Sequence, residues 1–345
     1  MIKIEKPVER CKLEKVPALT NPEYGCAPEA RPIREHIEKG VVVIDKPAGP
    51  TSHEVVAWVK DILKINRAAH TGTLDPKVTG VLPVLLGTAT KLADTFVGDK
   101  EYVCVMKLHR EVEEDTLRKI SQGFVGKIYQ RPPLKSAVRR RIRIRTVHYI
   151  EIKEIEGKNV LMKVGCEAGT YIRMLCHHIG LALGVGAHMS QLRRTKSFPF
   201  AEDNLTRLHD LKDAYVFYEE EGDESWLREL IMPMEHALGH LPCIIVKDSA
   251  VDAICHGADL AVPGISRIEE GINTGNRVVI YTLRGEAVSI GKAKKGSEDM
   301  FRAEKGVCVE TEKVFMKPGT YMKGWRRKEK YAQQGVENSK FISSC

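Results

Sequence analysis

HTGTLDPKVTGVLPVLLGTATKL, residues 70–92, joins two unlike halves. From His70 to Gly80 it gathers one carboxylate, Asp75, one imidazole and three threonine hydroxyls on a loop punctuated by glycine. From Val81 to Leu86 it becomes an apolar run of strand length. Neighbouring segments extend this alternation. Val41 to Ile44, bounded by Gly40 and by Lys46-Pro47, reads as a buried strand. Thr51-Ser52-His53-Glu54 has the spacing of a capping box, and Val55, Val56, Val59, Ile62 and Leu63 then fall on one helical face. Downstream, Tyr102 to Leu108 and Val160 to Cys166 are strand-like, and Thr170 is the expected N-cap of a helix carrying Leu175, Ile179 and Leu183. That helix start puts Arg173 in its first turn. Between Arg139 and Ile152, Ile142 and Ile144 alternate with Arg141, Arg143 and Arg145, so period two places three guanidiniums on one side of a strand as a basic ribbon. Interleaved strands and amphipathic helices predict a mixed α/β, or α+β, domain.

From Leu241 the texture shifts to short β-like runs separated by glycine: Cys243 to Val246, Asp259 to Val262, Arg277 to Tyr281, Ala287 to Lys294 and Gly306 to Val309. Their spacing predicts a small all-β barrel or sandwich. Residues 1–36, rich in proline and charge without periodicity, read as an extended arm; 37–240 form one domain, 241–320 a second, and 321–345 a basic flexible tail. Two cores suit 345 residues, since single cores rarely grow past roughly 250 to 300.

Composition narrows the function. The longest nearly uncharged stretch, Val78 to Thr90, is broken by Gly80, Pro83 and Gly87 and falls short of the ~20 apolar residues of a membrane span. The first twenty residues mix both charges without an apolar core, so no secretory signal is expected and the protein is placed in the cytoplasm. Nine cysteines without a CxxC pair fit neither a disulfide framework nor a zinc site. Cys176-His177-His178 has no second ligand pair at metal spacing, so no metal is expected. Lys plus Arg outnumber Asp plus Glu by 54 to 46. The basic residues bunch at Arg139–Arg145, at Arg193, Arg194 and Lys196, and at Lys323–Lys330. Such clusters are the footprint of a polyanion binder or, taken singly, a solvated charged face. No internal repeat and no phosphate-cradling glycine motif is present.

The 70–80 loop admits three readings. It is a turn opened by Asp75-Pro76. It is a phosphohydrolase loop of the Asp-x-x-Gly-Thr-Leu kind, except that Ala69 holds the nucleophile position and cannot form a phosphoenzyme. The third reading comes from resemblance. GVVVIDKPAGPTSHEVV at 40–56, HTGTLDPKVTGVLPVLLGTATKL at 70–92, KEYVCVMKL at 100–108 and GTYIRML at 169–175 resemble, in order, the motifs of the TruB family of pseudouridine synthases. RPPLKSAVRRR at 131–141 and LRRTK at 192–196 are most similar to its dyskerin branch, the catalytic subunit of box H/ACA ribonucleoproteins, and the β-module resembles a PUA domain. The likeness spans residues 32–320 and, without long Lys-rich extensions, fits an archaeal member. Ser197-Phe198-Pro199-Phe200 departs from the branch, which usually has glycine in the second place.

This resemblance implies a catalytic domain with a central mixed sheet, a PUA barrel on which the arm packs, and an isomerase that needs no cofactor. The implied reaction converts uridine to pseudouridine in rRNA under a box H/ACA guide RNA, or guide-free at tRNA uridine 55. By resemblance Asp75 attacks C1′ or removes the C2′ proton, and Arg173 pairs with it. Tyr102 stacks on the target base and serves the final proton transfer from C5. Leu192 completes an apolar wall, His70 fills the space of the flipped nucleotide, Thr73 borders the pocket, and Arg141, Arg143 and Arg145 lie along phosphates. From the residues alone, Arg173 is a helix-start arginine, Tyr102 a core aromatic sharing a face with Cys104 and Met106, Leu192 core packing and His70 a hydrogen-bonded loop histidine. Implied partners are tRNA, rRNA and guide RNA, a small zinc-ribbon protein, a glycine-arginine-type protein and a kink-turn-binding protein, with no membrane. The alternative function is a noncatalytic RNA-binding scaffold.

Overall fold

The computed structural model describes residues 12–132, 141–203 and 205–323. The chain divides into two compact units, one built on Ile37–Met232, the other on the segment before Ile37 together with the chain from Pro233 onward.

The first unit is organised by one sheet. Its strands lie in the order Gly40–Lys46, Thr79–Leu86, Ala187–Ser197, Lys100–Leu108, Asn159–Cys166, Arg143–Glu156, Gly126–Gln130. Thr79–Leu86 runs parallel to Ala187–Ser197, while the other neighbours in this series are antiparallel, so the sheet is mixed. At the parallel junction Gly80 pairs with Arg194 at φ +99, and a Cβ there would lie 2.2 Å from the Arg194 carbonyl oxygen. Only glycine allows the strands to meet so closely.

The capping box forms: Thr51 Oγ1 accepts from the Glu54 amide at 3.1 Å and the Glu54 carboxylate accepts from the Thr51 amide at 2.7 Å. It starts the helix Ser52–Leu63, whose Val55, Val56, Val59 and Leu63 are buried. A cap of this kind is worth about 1 kcal/mol. The helix Ile172–Ala182 starts differently from the expectation. Tyr171 occupies its N-cap without a side-chain bond, and the Thr170 hydroxyl donates to the Glu167 carbonyl at 2.7 Å instead. Leu175, Cys176 and Ile179 pack against Cys104, Met106, Met162 and Val164 of the sheet.

In the second unit the strands follow the order Lys12–Glu14, Ile265–Glu269, Cys243–Val246, Arg277–Tyr281, Ala287–Ala293, Val307–Val314, Leu260–Ala261. Two helices, Asp248–Cys255 and Ser297–Arg302, accompany them. The N-terminal segment contributes a strand of its own, Lys12 pairing with Glu269 and Glu14 with Arg267. Further along, Gly25 (φ +61) has no room for a side chain, because a Cβ would sit 2.2 Å from Glu286 Oε2. Arg31 then forks onto Glu235, Nη1 to Oε2 at 2.9 Å and Nη2 to Oε1 at 2.6 Å, with both side chains buried. Among the described residues no helix is long and apolar enough to cross a membrane. The tail read from 321 lies, beyond Lys323, outside the described residues.

Candidate active site

The loop between the strands Ala68–His70 and Thr79–Leu86 is held by its backbone from several sides. The Ser52 hydroxyl, in the first turn of its helix, donates to the Leu74 carbonyl at 3.0 Å and accepts from the Leu74 amide at 2.8 Å. Lys46, fully buried at a strand end, gives its three ammonium protons to the carbonyls of Pro47, Pro76 and Val78 at 2.9, 3.0 and 2.9 Å. Three acceptors for three donors satisfy the group completely. Burial lowers the Lys46 pKa, and the charge of Asp75 acts against that shift. The Gly49 amide also donates to Pro76 at 2.9 Å. Leu74 and Val78 are thereby sunk into the core, while the Asp75 side chain between them stays about half exposed at 53%.

Arg173 reaches that carboxylate, its Nη2 donating to Asp75 Oδ2, with 47% of its own side chain exposed. The helix that carries it is pinned at its start by Gln130, a buried residue whose amide nitrogen donates to the Tyr171 carbonyl at 3.1 Å and whose oxygen accepts from the Tyr171 amide at 2.9 Å. The turn before it is propped by Arg145, which pairs with Glu167 at 3.3 Å. The basic ribbon is therefore arranged otherwise than as a row of outward arginines. Within and beside the strand Ile142 and Ile144 are exposed at 59% and 51%, Arg143 and Arg145 are half-buried, and Arg141, which precedes the strand, is exposed. Arg139 and Arg140 lie outside the described residues. The cluster at Arg193 and Arg194 likewise turns inward: Arg193 pairs with Asp45 at 2.9 Å and Glu202 at 3.1 Å, and Arg194 is 1% exposed.

Arg194 links the loop to Tyr102. Its Nε donates to the Val81 carbonyl at 2.8 Å and its Nη2 to the Gly72 carbonyl at 3.0 Å. Its guanidinium also faces the Tyr102 hydroxyl, acting on it by charge and hydrogen bonding. Burial raises the half-buried Tyr102 phenol pKa, Arg194 pulls it down, and the charges of Cys166 and Asp75 push it up. Tyr102 and Leu192 pack on the same buried cluster, so the aromatic and the aliphatic wall share one foundation. Nearby Lys100 is buried, donates to Ser197 Oγ at 2.9 Å, and is pushed down to about 8 by burial first and by Arg194 second. His70 is half-buried, edge-on to His53 with ring centroids 5.0 Å apart. Burial, then His53 and Arg194, lower its pKa, which favours a neutral ring. Thr73 is exposed on the loop. The Cys176 thiol faces Cys104 across 3.6 Å in the core, and among the described residues no three His, Cys, Asp or Glu side chains form a metal-holding group.

A probable tRNA pseudouridine synthase B of Methanosarcina acetivorans is 58% identical over 328 residues, 95% of this chain and 97% of that protein. The chain belongs to the TruB family of pseudouridine synthases. The corresponding protein of Pyrococcus furiosus is 56% identical over 315 residues, 91% of this chain and 93% of the relative. Four family descriptions match: the TruB family pseudouridylate synthase N-terminal domain over 60–172, the tRNA pseudouridylate synthase B C-terminal domain over 173–239, the PUA domain over 242–315 and the DKCLD (NUC011) domain over 13–56. Among solved structures, a chain of an H/ACA RNP bound to a substrate RNA containing 2′-deoxyuridine superposes with TM-score 0.84 at 53% identity, covering 92% of this chain and 98% of the other. A chain of a Cbf5-Nop10-Gar1 complex gives 0.83 at 55%, covering 94% and 100%.

In this TruB-family site, it is the resemblance that names Asp75, Tyr102 and Arg173, of which the structure brings Arg173 onto Asp75; neither the resemblance nor the residue pattern names the groups that fix them. Lys46 was legible only as a strand end before proline, Ser52 only as the interior of a capping box, and Arg194 only as one charge in a cluster. For Lys46 and Ser52 the available signal was position, at the end of the strand Gly40–Lys46 and the start of the helix Ser52–Leu63, where a buried polar side chain must find a partner; Arg194 lies within the strand Ala187–Ser197 and carried no such signal.

Proposed function

We propose that the chain is the catalytic subunit of a guide-RNA-directed pseudouridine synthase, with Asp75 as its reacting carboxylate. The observation that carries this reading is the contrast at the loop: a backbone clamped by Ser52, Lys46 and Arg194 presents a carboxylate that solvent, and hence substrate, reaches. Fixed geometry of this kind lowers the entropic part of a barrier before the reaction begins. Isomerisation breaks the N-glycosidic bond of uridine, turns the uracil and joins C5 to C1′, with no redox change. Asp75 either attacks C1′ or takes the C2′ proton, and Arg173 orients it by a charge-assisted bond. C1′ is out of reach in stacked RNA, so the nucleotide is flipped out. The target base stacks on Tyr102 beside Leu192, His70 fills the vacated space as a neutral ring, and Thr73 borders the entrance. Tyr102 then receives the C5 proton.

The second unit, matched by the PUA description, anchors RNA and raises the effective concentration of target. The similar solved assemblies contain Nop10, Gar1 and substrate RNA, and we assign this chain to a particle of that kind, with guide-free tRNA modification as a second activity. Arg141, with Arg143 behind it, supplies phosphate contacts. Release of tritium from RNA carrying [5-³H]uridine, with and without guide RNA, tests the reading. Turnover by the wild type and none by Asp75→Asn is expected. No release from any guided target leaves a noncatalytic scaffold, and turnover by Asp75→Asn removes Asp75 from the mechanism.

A further inference from the structure

Arg194 is a buried guanidinium that, among the described residues, no carboxylate pairs with. Buried charges are ordinarily paired, because an uncompensated one costs several kcal/mol. Its interactions are two backbone carbonyls, Val81 and Gly72, and the Tyr102 phenol, the one titratable group whose interaction favours its protonated form. Arg194 and Tyr102 are also direct cross-strand partners in the ladder between Lys100–Leu108 and Ala187–Ser197, at a register shift that leaves Thr195 extra. Cross-strand partners share a face with Cβ atoms about 4.5–5.5 Å apart, and a bulge re-aims the side chain beside it. A cation thus waits in a dry place beside a neutral hydroxyl.

We propose that Arg194 is a positioning residue for the proton transfer at C5, fixing the Tyr102 oxygen in place and supplying the counter-charge it needs as an anion. This rests on the reading of Tyr102 as the acceptor of that proton. A guanidinium donates and never accepts, so the phenol proton is directed away from Arg194, toward the side where substrate enters. Once that proton has left to solvent, the tyrosinate and Arg194 become a buried ion pair, and the unpaired cation of the resting enzyme is compensated. The step then balances: the C5–H bond breaks and its proton passes to the Tyr102 oxygen. Its electron pair forms the C5=C6 double bond, the C6=N1 π pair withdraws to N1, and N1 takes a proton from water. Because the same guanidinium holds the Gly72 carbonyl, the oxygen that serves C5 and the loop that carries Asp75 are set by one group.

The test is a deuterium isotope effect at C5. Single-turnover isomerisation is measured on guide-assembled RNA whose target uridine carries hydrogen or deuterium at C5, for wild type, Arg194→Met, Arg194→Lys, Tyr102→Phe and the Arg194→Met/Tyr102→Phe pair. Arg194→Met should slow turnover roughly ten- to a hundredfold, below the 10²–10⁴ of a proton-transfer group itself, and should raise the isotope effect above wild type. Arg194→Lys, which keeps the charge, should recover part of both. In the Tyr102→Phe background Arg194→Met should leave the isotope effect where Tyr102→Phe put it. The isotope effect is a ratio, so a reduced folded fraction does not move it. If Tyr102→Phe raises it and both Arg194 variants leave it at wild type, the proposal is wrong and the reading of Tyr102 stands. If Tyr102→Phe leaves it unchanged, the reading of Tyr102 fails and the proposal falls with it.

Discussion

Two arginine–carboxylate pairs differ in nearly everything except their chemistry. Arg31 and Glu235, in the second unit, are 1% and 5% exposed, forked through two bonds, and Glu235 Oε1 also accepts from the Ala287 amide at 3.0 Å. Arg173 and Asp75, in the first, are 47% and 53% exposed and joined through a single nitrogen. A pair that holds a fold is dry, and its remaining lone pairs are occupied. A pair that must offer its carboxylate to a substrate is wet and single, so its precision comes from elsewhere: Ser52 and Lys46 on one side of Asp75, Gln130 beneath Arg173 on the other.

The contrast is sharpest at Asp75. Asp75→Asn should lower turnover at least about a thousandfold while moving the unfolding free energy by no more than about 0.5 kcal/mol; a clear loss of stability by urea titration would break the distinction. At the dry pair the reverse holds. Arg31→Met strands a buried carboxylate and should cost about 3–5 kcal/mol, read as an early unfolding transition, and an unaltered transition would show that Glu235 is satisfied without it.

Lys100 tests the dry side with a cation whose ammonium, among the described residues, is bonded to the Ser197 hydroxyl and to no carboxylate. Its ordinary value of 10.5 is lowered to about 8 in the folded protein. The unfolded chain therefore binds more protons between pH 8 and 10.5, and wild-type stability should rise with pH across that window. Lys100→Met lacks the rise, so the difference between the two proteins should shift by up to about 3 kcal/mol. Parallel curves would show that the buried amine titrates normally. Arg173→Met should also cost little stability, under about 1 kcal/mol for an exposed pair, with its loss appearing in single-turnover rate at saturating RNA. A rate near wild type would return Arg173 to an ordinary helix-start residue.

How far these features were legible depended on whether they are local. The capping box at Thr51–Glu54 and the strand Arg277–Tyr281 are written in consecutive residues and form as read. Counting arginines along a chain does not say which way they point: Arg193 and Arg194 turn toward Asp45, Glu202, Val81 and Gly72. Lys12–Glu14 is too short for any period to show, and its partner strand is remote. Lys46 and Ser52 act on a loop some 22 to 32 residues away in sequence, a relation that only the folded sheet creates.

The discontinuity of the second unit has a consequence for synthesis on the ribosome. Ser266 donates to the carbonyl of Val16, 250 residues earlier, and Arg31 waits 204 residues for Glu235. At roughly 5–20 residues per second, the first-made segment has no native partner for on the order of ten seconds to a minute. Throughout that interval the whole first unit emerges and can fold, because its own elements lie between the two pieces. Once the chain reaches Glu269, the late strand Ile265–Glu269 finds its edge partner already waiting on the same molecule. That order of arrival leaves the edge little time to pair with another copy.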